Sequence, residues 1–250
     1  MKTRFVLPAA LLALVAACTK TKTLPVPARG ENRMLSYTIT SVPDGAAPVI
    51  GAIDDTDSTI TVYISAYYGL TAMTPEITVP EGATVSPASG TTVTNLLSMM
   101  RKDSTITYMV TAKNGSKKSY TLHVRSLQPK TVVNEISTSI DNPKSVTIYP
   151  KYGANGYGSV ALKGSNFITK NRSILTSMTF TDSANNVIDV PYAGEGSEGS
   201  LTSIAVNYRI SPTNTEFVNK LVNNAIYYVT FYNYGEEIKL KYPIRFRISN

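Results

Sequence analysis

Apolar and polar residues alternate with a period of two through most of this chain. That pattern commits it to half-buried β-strands. The clearest instance is a hairpin. Ile106, Tyr108, Val110 and Ala112 point one way, and after Lys113-Asn114-Gly115-Ser116 so do Tyr120, Leu122 and Val124. Asn-Gly is expected to supply the positive φ angles of a tight turn. Leu35, Tyr37 and Ile39 alternate with Ser36, Thr38 and Thr40, and Ile60, Val62, Ile64 and Ala66 with Thr61, Tyr63 and Ser65. At the far end Ile238, Leu240, Tyr242, Ile244, Phe246 and Ile248 share one parity. Pro243 falls on the other, which suits an edge strand or a bulge. Between these runs Val146 with Ile148, Val160 with Leu162, Met178 with Phe180, Val187 to Val190, Ile204 to Ile210 and Ala225 to Tyr232 also read as strands.

Turn residues punctuate the strands at Asp54-Asp55-Thr56-Asp57-Ser58, Val79-Pro80-Glu81-Gly82-Ala83, Pro87-Ala88-Ser89-Gly90 and the glycine-rich stretch Gly153 to Gly158. Glu195-Gly196-Ser197-Glu198-Gly199-Ser200 reads as a mobile loop. Thr94 to Met100 reads as a helical turn or an irregular crossover. One short helix is expected at Thr213 to Asn224. Thr213 and Glu216 have capping-box spacing there, and Phe217, Leu221 and Val222 fall on one face. Short strands with Gly/Pro turns at intervals of about ten residues indicate sandwiches. Parallel α/β architecture would need repeated crossover helices. The expected class is all-β, with two β-sandwich domains in tandem: residues 34–126, a linker at 127–134, and residues 135–250.

The N-terminus decides where such a chain goes. Lys2 and Arg4 precede an apolar run of 13 residues, Phe5 to Ala17, which ends in small residues before Cys18. That is the order of a secretory signal. The run contains Pro8 and falls short of the about 20 residues a membrane-spanning helix needs. Val15-Ala16-Ala17-Cys18 also resembles the bacterial lipobox, which makes residues 1–17 a lipoprotein signal peptide and Cys18 the acylated first residue of the mature protein. Three acyl chains exceed the two signals stable anchoring takes. Residues 18–33 lack periodicity, carry two prolines and read as a flexible tether. Cys18 is the single cysteine, so an acylated chain has no disulfide, cysteine metal site or thiol nucleophile.

Further resemblances attach to the two sandwiches. Ile60-Thr61-Val62, Leu70, Pro75, Ile77-Thr78-Val79, Gly82 to Pro87, Gly90 and Tyr108 through Val124 resemble the Ig-like modules of outer-membrane lipoproteins in Sus-type glycan-utilisation systems. Such modules imply a spacer or partner-binding role beside a glycan-binding domain. Tyr149-Pro150-Lys151-Tyr152-Gly153 with Gly158 to Phe167 resembles the opening of an IPT/TIG-type Ig domain. Thr19 stands where an aspartate would retain a lipoprotein at the inner membrane, so the resemblance implies the outer membrane, with its face undecided. Asp57-Ser58-Thr59, Asp103-Ser104-Thr105 and Asp182-Ser183-Ala184 look like bacterial O-glycosylation sites, or are plain turns.

Few residues offer chemistry. His123, the single histidine, falls on the outward face of its strand between Thr121 and Arg125, where a general base lacks a cleft and a nucleophile. Asp54, Asp55 and Asp57 cluster as a hard-cation site would, but without the glycine and glutamate of an EF-hand loop. The glycine stretch at 153–158 lacks the lysine-serine of a phosphate loop. No catalytic residue, metal site or cofactor is expected. Export and scattered cations speak against nucleic acid; removing Lys2 and Arg4 takes the net charge from +7 to +5.

Tyrosine, present 16 times where tryptophan is absent, is the candidate binder. Its ring stacks on sugar C–H faces and its phenol adds a hydrogen bond. Tyr67, Tyr68, Tyr152, Tyr157, Tyr228, Tyr232 and Tyr234 are the candidates, each alternatively a core-edge aromatic. Lys239, Lys241, Arg245 and Arg247 line one face of the terminal strand. They suit an acidic polysaccharide or protein surface, or else form a solvated face guarding a sheet edge. The expected function is a non-enzymatic envelope lipoprotein that binds glycan or another envelope component. The alternatives are an adhesion or assembly protein acting through protein contacts, and a hydrolase. Cys18→Ser is expected to abolish incorporation of radiolabelled palmitate and move the protein from the membrane to the soluble fraction of cells.

Overall fold

The computed structural model describes residues 30–102, 104–152, 155–168, 175–189, 203–210 and 219–249. The signal peptide, Cys18 and the tether up to residue 29 lie outside the described residues. Residues 213–218 of the expected helix and the loop at 195–200 lie outside them as well, and the described residues 221–224 are not helical.

The alternating runs of the first module become two sheets. β1 (Ser36–Ile39), β2 (Val49–Ile50) and β5 (Pro75–Thr78) form one, in the order β2-β1-β5. β3 (Ala52–Asp54), β4 (Thr59–Ser65), β6 (Thr84–Ser86), β7 (Ile106–Thr111) and β8 (Lys117–Leu127) form the other, in the order β3-β4-β8-β7-β6. Tyr37, Ile39 and Ile77 from the first sheet meet Ile60, Val62, Ile64, Tyr108, Val110, Leu122 and Val124 from the second in a single core. The rings of Tyr37 and Tyr108 pack edge to face at 5.6 Å, with their hydroxyls 3.3 Å apart. A two-turn helix, α1 (Leu96–Lys102), turns Leu96, Met99 and Met100 into that core. The stretch read as a helical turn or crossover is thus this helix.

The β7–β8 hairpin forms with the expected residues facing inward, and its register sets Tyr108 opposite Tyr120 and Ile106 opposite Leu122. Its turn differs from the expected one. Gly115 takes a φ of +83°, but Asn114 does not enter the left-handed region and uses its side-chain oxygen to accept the Ser116 N–H at 2.9 Å. The turn therefore has four residues, closed by the Ala112 carbonyl accepting the Gly115 N–H, and only one position needs a glycine.

The second module is one continuous sheet that wraps its own core. It comprises β9 (Val132–Val133), β10 (Lys144–Tyr152), β11 (Asn155–Ser165), β12 (Thr176–Thr181), β13 (Val187–Asp189), β14 (Ser203–Ile210), β15 (Ile226–Asn233), β16 (Glu236–Lys239) and β17 (Ile244–Ile248). The main path runs β13-β12-β15-β17-β10-β11-β14, with β16 beside β15 and β9 beside β11. Ile148, Val160, Leu162, Phe167, Met178, Phe180, Tyr227, Val229, Phe231, Ile244 and Phe246 are buried together inside. Phe180 and Phe246 pack edge to face at 4.9 Å. Of the residues given to one face of the expected helix, Leu221 is buried in this core while Val222 faces solvent.

Two boundaries move. The glycine stretch is mostly strand: β11 begins at Asn155, so Gly156, Tyr157 and Gly158 lie within it. The terminal run is not one strand, and its end is not an edge. Pro243, which has no N–H for a ladder, interrupts it; β16 stops at Lys239 and β17 restarts at Ile244. β17 then pairs in parallel with β10 and antiparallel with β15, so it is an interior strand.

The two modules share a seam. Residues 31–250 form one compact unit. The connector between the modules is embedded in it: β9 pairs with β11, and a Cβ on Gly164 would meet the Val132 carbonyl oxygen at 1.9 Å. Tyr234 leaves the β15–β16 turn with a φ of +56° and buries itself completely in the core of the first module, alongside Leu175. Its hydroxyl donates to the Leu70 carbonyl at 3.0 Å. From α1, Arg101 donates to the Tyr234 carbonyl and, at 2.8 Å, to the Leu175 carbonyl. Its guanidinium lies 5.1 Å from the centre of the Tyr232 ring. Burial pushes Arg101 down to about 10, which leaves it charged at neutral pH. Gln128 donates to the Asn233 carbonyl at 3.0 Å, and Glu236 accepts the Thr131 N–H at 2.7 Å.

Arg101→Met is expected to strip two carbonyls of their donors and lower stability by about 2–3 kcal/mol, read from the denaturant midpoint. Alkaline unfolding should follow from the buried phenols. Burial, then the hydrogen bond to Asp55, pushes Tyr120 up to about 12, and burial raises Tyr37 and Tyr234 further. A folded-state value above the unfolded value of about 10 leaves stability intact below pH about 10 and erodes it as pH climbs towards 12. Denaturant midpoints taken across that range, with phenolate absorbance followed in parallel, check this.

Candidate binding face

Strand parity builds the site. On β17 the inward set is Ile244, Phe246 and Ile248, which leaves Arg245 and Arg247 on the outer surface of the sheet. In the parallel β10–β17 ladder, Arg245 lies beside Ser145 and Arg247 beside Thr147. Two residues further along β10, on the same side, comes Tyr149, 41% exposed. On β15, Ile226 pairs with Arg245, and Tyr228, two residues on, is 36% exposed on the same surface. The result is a diagonal row of Tyr228, Arg245, Arg247 and Tyr149 across three adjacent strands. In the backbone register of the neighbouring strands, Tyr149 of β10 pairs with Tyr157 of β11, and Tyr157 with Arg209 of β14.

Arg245 is half-buried, and its Nε is buried with no hydrogen-bond partner. Burying such a donor alone is costly. Among the described residues no carboxylate pairs with either arginine. The same sheet carries Ser145 and Thr147, short hydroxyls between the larger side chains.

The other expected binding residues are distributed differently. Tyr67 and Tyr68 belong to the first module, on a 3-10 turn at Ala66–Tyr68 that Gly69 closes with a φ of +63°. Tyr67 is 81% exposed there. Tyr152 pairs with Asn155 in the β10–β11 ladder. Tyr232 is half-buried under Arg101, at the end of the sheet that meets the first module. Tyr234 is a correction: it is 0% exposed and its phenol is engaged by Leu70, so it is a seam residue and touches no ligand. Lys239, on β16, forms an ion pair with Glu237 at 3.2 Å, and Lys241 sits in the strand break with its ammonium 4.9 Å from the Tyr242 ring centre. The four cations expected on one strand are therefore two pairs, and only Arg245 and Arg247 stand on β17.

Tyr149 was not among the expected binders. It shares parity with Thr147 in the sequence, but its side of the sheet matches that of Arg247 only once β10 is known to pair with β17. A second outward aromatic, Tyr63, pairs with Arg125 on the five-stranded sheet, where His123 stands half-buried opposite Thr61. The aspartate turn is internally satisfied: Asp54 accepts the Thr56 and Asp57 N–H groups at 2.7 and 3.1 Å, and Asp55 accepts from Tyr120 and Lys118. The Tyr120 hydrogen bond chiefly holds the Asp55 carboxyl below the usual carboxylate range. Among the described residues no cluster of His, Cys, Asp or Glu is arranged to hold a metal.

Comparison with known proteins places the first module. Residues 34–124, from just before β1 to within β8, match the family model described as SGBP, N-terminal. No curated protein matches the chain. A solved Bacteroides thetaiotaomicron protein, provisionally described as a glycoside hydrolase, aligns at 14% identity over 88% of this chain and 83% of its own, with a TM-score of 0.32. The four N-terminal Ig domains of Dscam1 isoform 6.9 align at 11% identity over 87% of this chain and 53% of theirs, with a TM-score of 0.22. Alignments at these scores define neither a ligand nor a reaction.

Proposed function

We propose that the chain is a non-catalytic glycan-binding lipoprotein of the outer membrane, anchored through Cys18. In this reading the first module is a spacer, the seam fixes the second module on it, and the row on β15, β17 and β10 is the binding surface. The observation that carries the reading is the match of residues 34–124 to the SGBP, N-terminal model, a glycan-binding family. The outer row supports it chemically. Exposed tyrosines on a rigid sheet lose little conformational freedom when they stack on sugar, and arginines and hydroxyls supply directional donors. A row of side chains along neighbouring strands suits a chain-like ligand that passes across it.

Isothermal titration of the full chain in detergent against a panel of neutral and acidic polysaccharides tests this. Binding to at least one member is expected, with Tyr149→Ala or Tyr228→Ala weakening it by roughly tenfold, the scale of one lost aromatic contact. His123→Ala is expected to leave it unchanged. Absence of heat with every polysaccharide, together with a stoichiometric protein crosslink in intact cells, would replace this reading with the adhesion and assembly alternative. Release of reducing sugar from any panel member would overturn the non-catalytic part.

A further inference from the structure

The charged side chains discussed above divide into those already engaged and those without a carboxylate partner among the described residues. Arg101 is held by two carbonyls and the Tyr232 ring, Lys118 by Asp55, and Lys239 by Glu237. Arg245 and Arg247 are on the other side of that division. They stand two residues apart on the outer surface of an interior strand, next to hydroxyls and with no carboxylate partner among the described residues. Arg245 Nε is buried and unpaired. A buried N–H of a charged group with nothing to donate to is rare in folded proteins.

Spacing adds to this. The row runs from Tyr228, beyond Arg245, to Tyr149, beyond Arg247, so successive members step by two residues along the strand direction. At a rise of about 3.3 Å per residue the row extends about 20 Å, long enough to meet several consecutive sugar units. A tyrosine stands at each end and the two guanidiniums stand between.

We propose that this face is a linear site for an acidic polysaccharide, with Arg245 and Arg247 taking carboxylate or sulfate groups and Tyr228 and Tyr149 stacking on sugar rings at either end. The inference rests on the glycan-binding reading above and adds the charge class of the ligand. A guanidinium fork matches the two oxygens of a carboxylate or sulfate, and an ammonium does not reproduce that geometry. The pairing with tyrosines distinguishes the site from a merely basic patch, because stacking needs a ring in register with the charge.

The test titrates the full chain in detergent with polygalacturonate, chondroitin sulfate, a neutral β-glucan and vesicles containing phosphatidylglycerol. Polygalacturonate or chondroitin sulfate is expected to bind. Arg245→Gln and Arg247→Gln should each weaken that binding at least tenfold, Tyr149→Ala should weaken it roughly tenfold, and Lys117→Gln in the first module should change it less than twofold. Arg247 is exposed, so its variant keeps the test informative even where Arg245→Gln disturbs folding. If the neutral glucan alone binds and both arginine variants bind it normally, the inference fails while the glycan-binding reading stands. If no polysaccharide binds, both fail. Equal losses in Lys117→Gln, no loss in Tyr149→Ala, or binding to the vesicles in place of the polysaccharides would each overturn the proposed site.

Discussion

The burial of Tyr234 in its neighbour's core is the constraint on which the arrangement of the two modules depends. A tyrosine with a φ of +56° occupies a region that bulky residues rarely adopt, and such strain persists only where surrounding contacts outweigh it. Here those contacts are the apolar core of the first module, the Leu70 carbonyl and the two carbonyls held by Arg101. Gly235 follows for a steric reason: a Cβ there would lie 2.3 Å from that of Ser126. The turn, the connector and the helix therefore fit only together. A side chain that by sequence belongs to the second module completes the core of the first.

In the proposed glycan-binding reading, this seam matters through geometry. Two sandwiches on a free linker would sample many orientations, and ordering them on a long ligand would cost binding energy. Arg101 and Tyr234 meet that cost during folding. The sheet face carrying Arg245 and Arg247 then holds a fixed attitude to the module whose sequence matches the SGBP, N-terminal model. The cation that most resembles a functional group by its burial, Arg101, is structural, whereas Arg245 and Arg247 on the outer side of β17 have no carboxylate partner among the described residues.

Strand existence, the inward residues and the all-β class could be read from period-two alternation alone, because a pleated strand sends neighbouring side chains to opposite faces. Tyr37, Ile60, Val62, Tyr108, Leu122, Phe180 and Phe246 are buried where that pattern puts them. Local chemistry was less complete. Pro243 correctly signalled an irregularity, but whether the strand beyond it was an edge depended on a parallel partner about a hundred residues away. The Asn-Gly turn was placed correctly, with its positive φ at Gly115 alone.

What the sequence determined by itself is therefore everything set by near neighbours along the chain: the strands, their inner faces, and the basic pair Arg245 and Arg247 on a common side. Only the tertiary structure decided which strands lie beside one another, and hence that Tyr228 and Tyr149 flank that pair while Tyr234 is lost to the interior. The physical reason is that side-chain direction follows from the backbone two residues at a time, whereas strand order and the closure of the seam are fixed by packing between residues far apart in the chain.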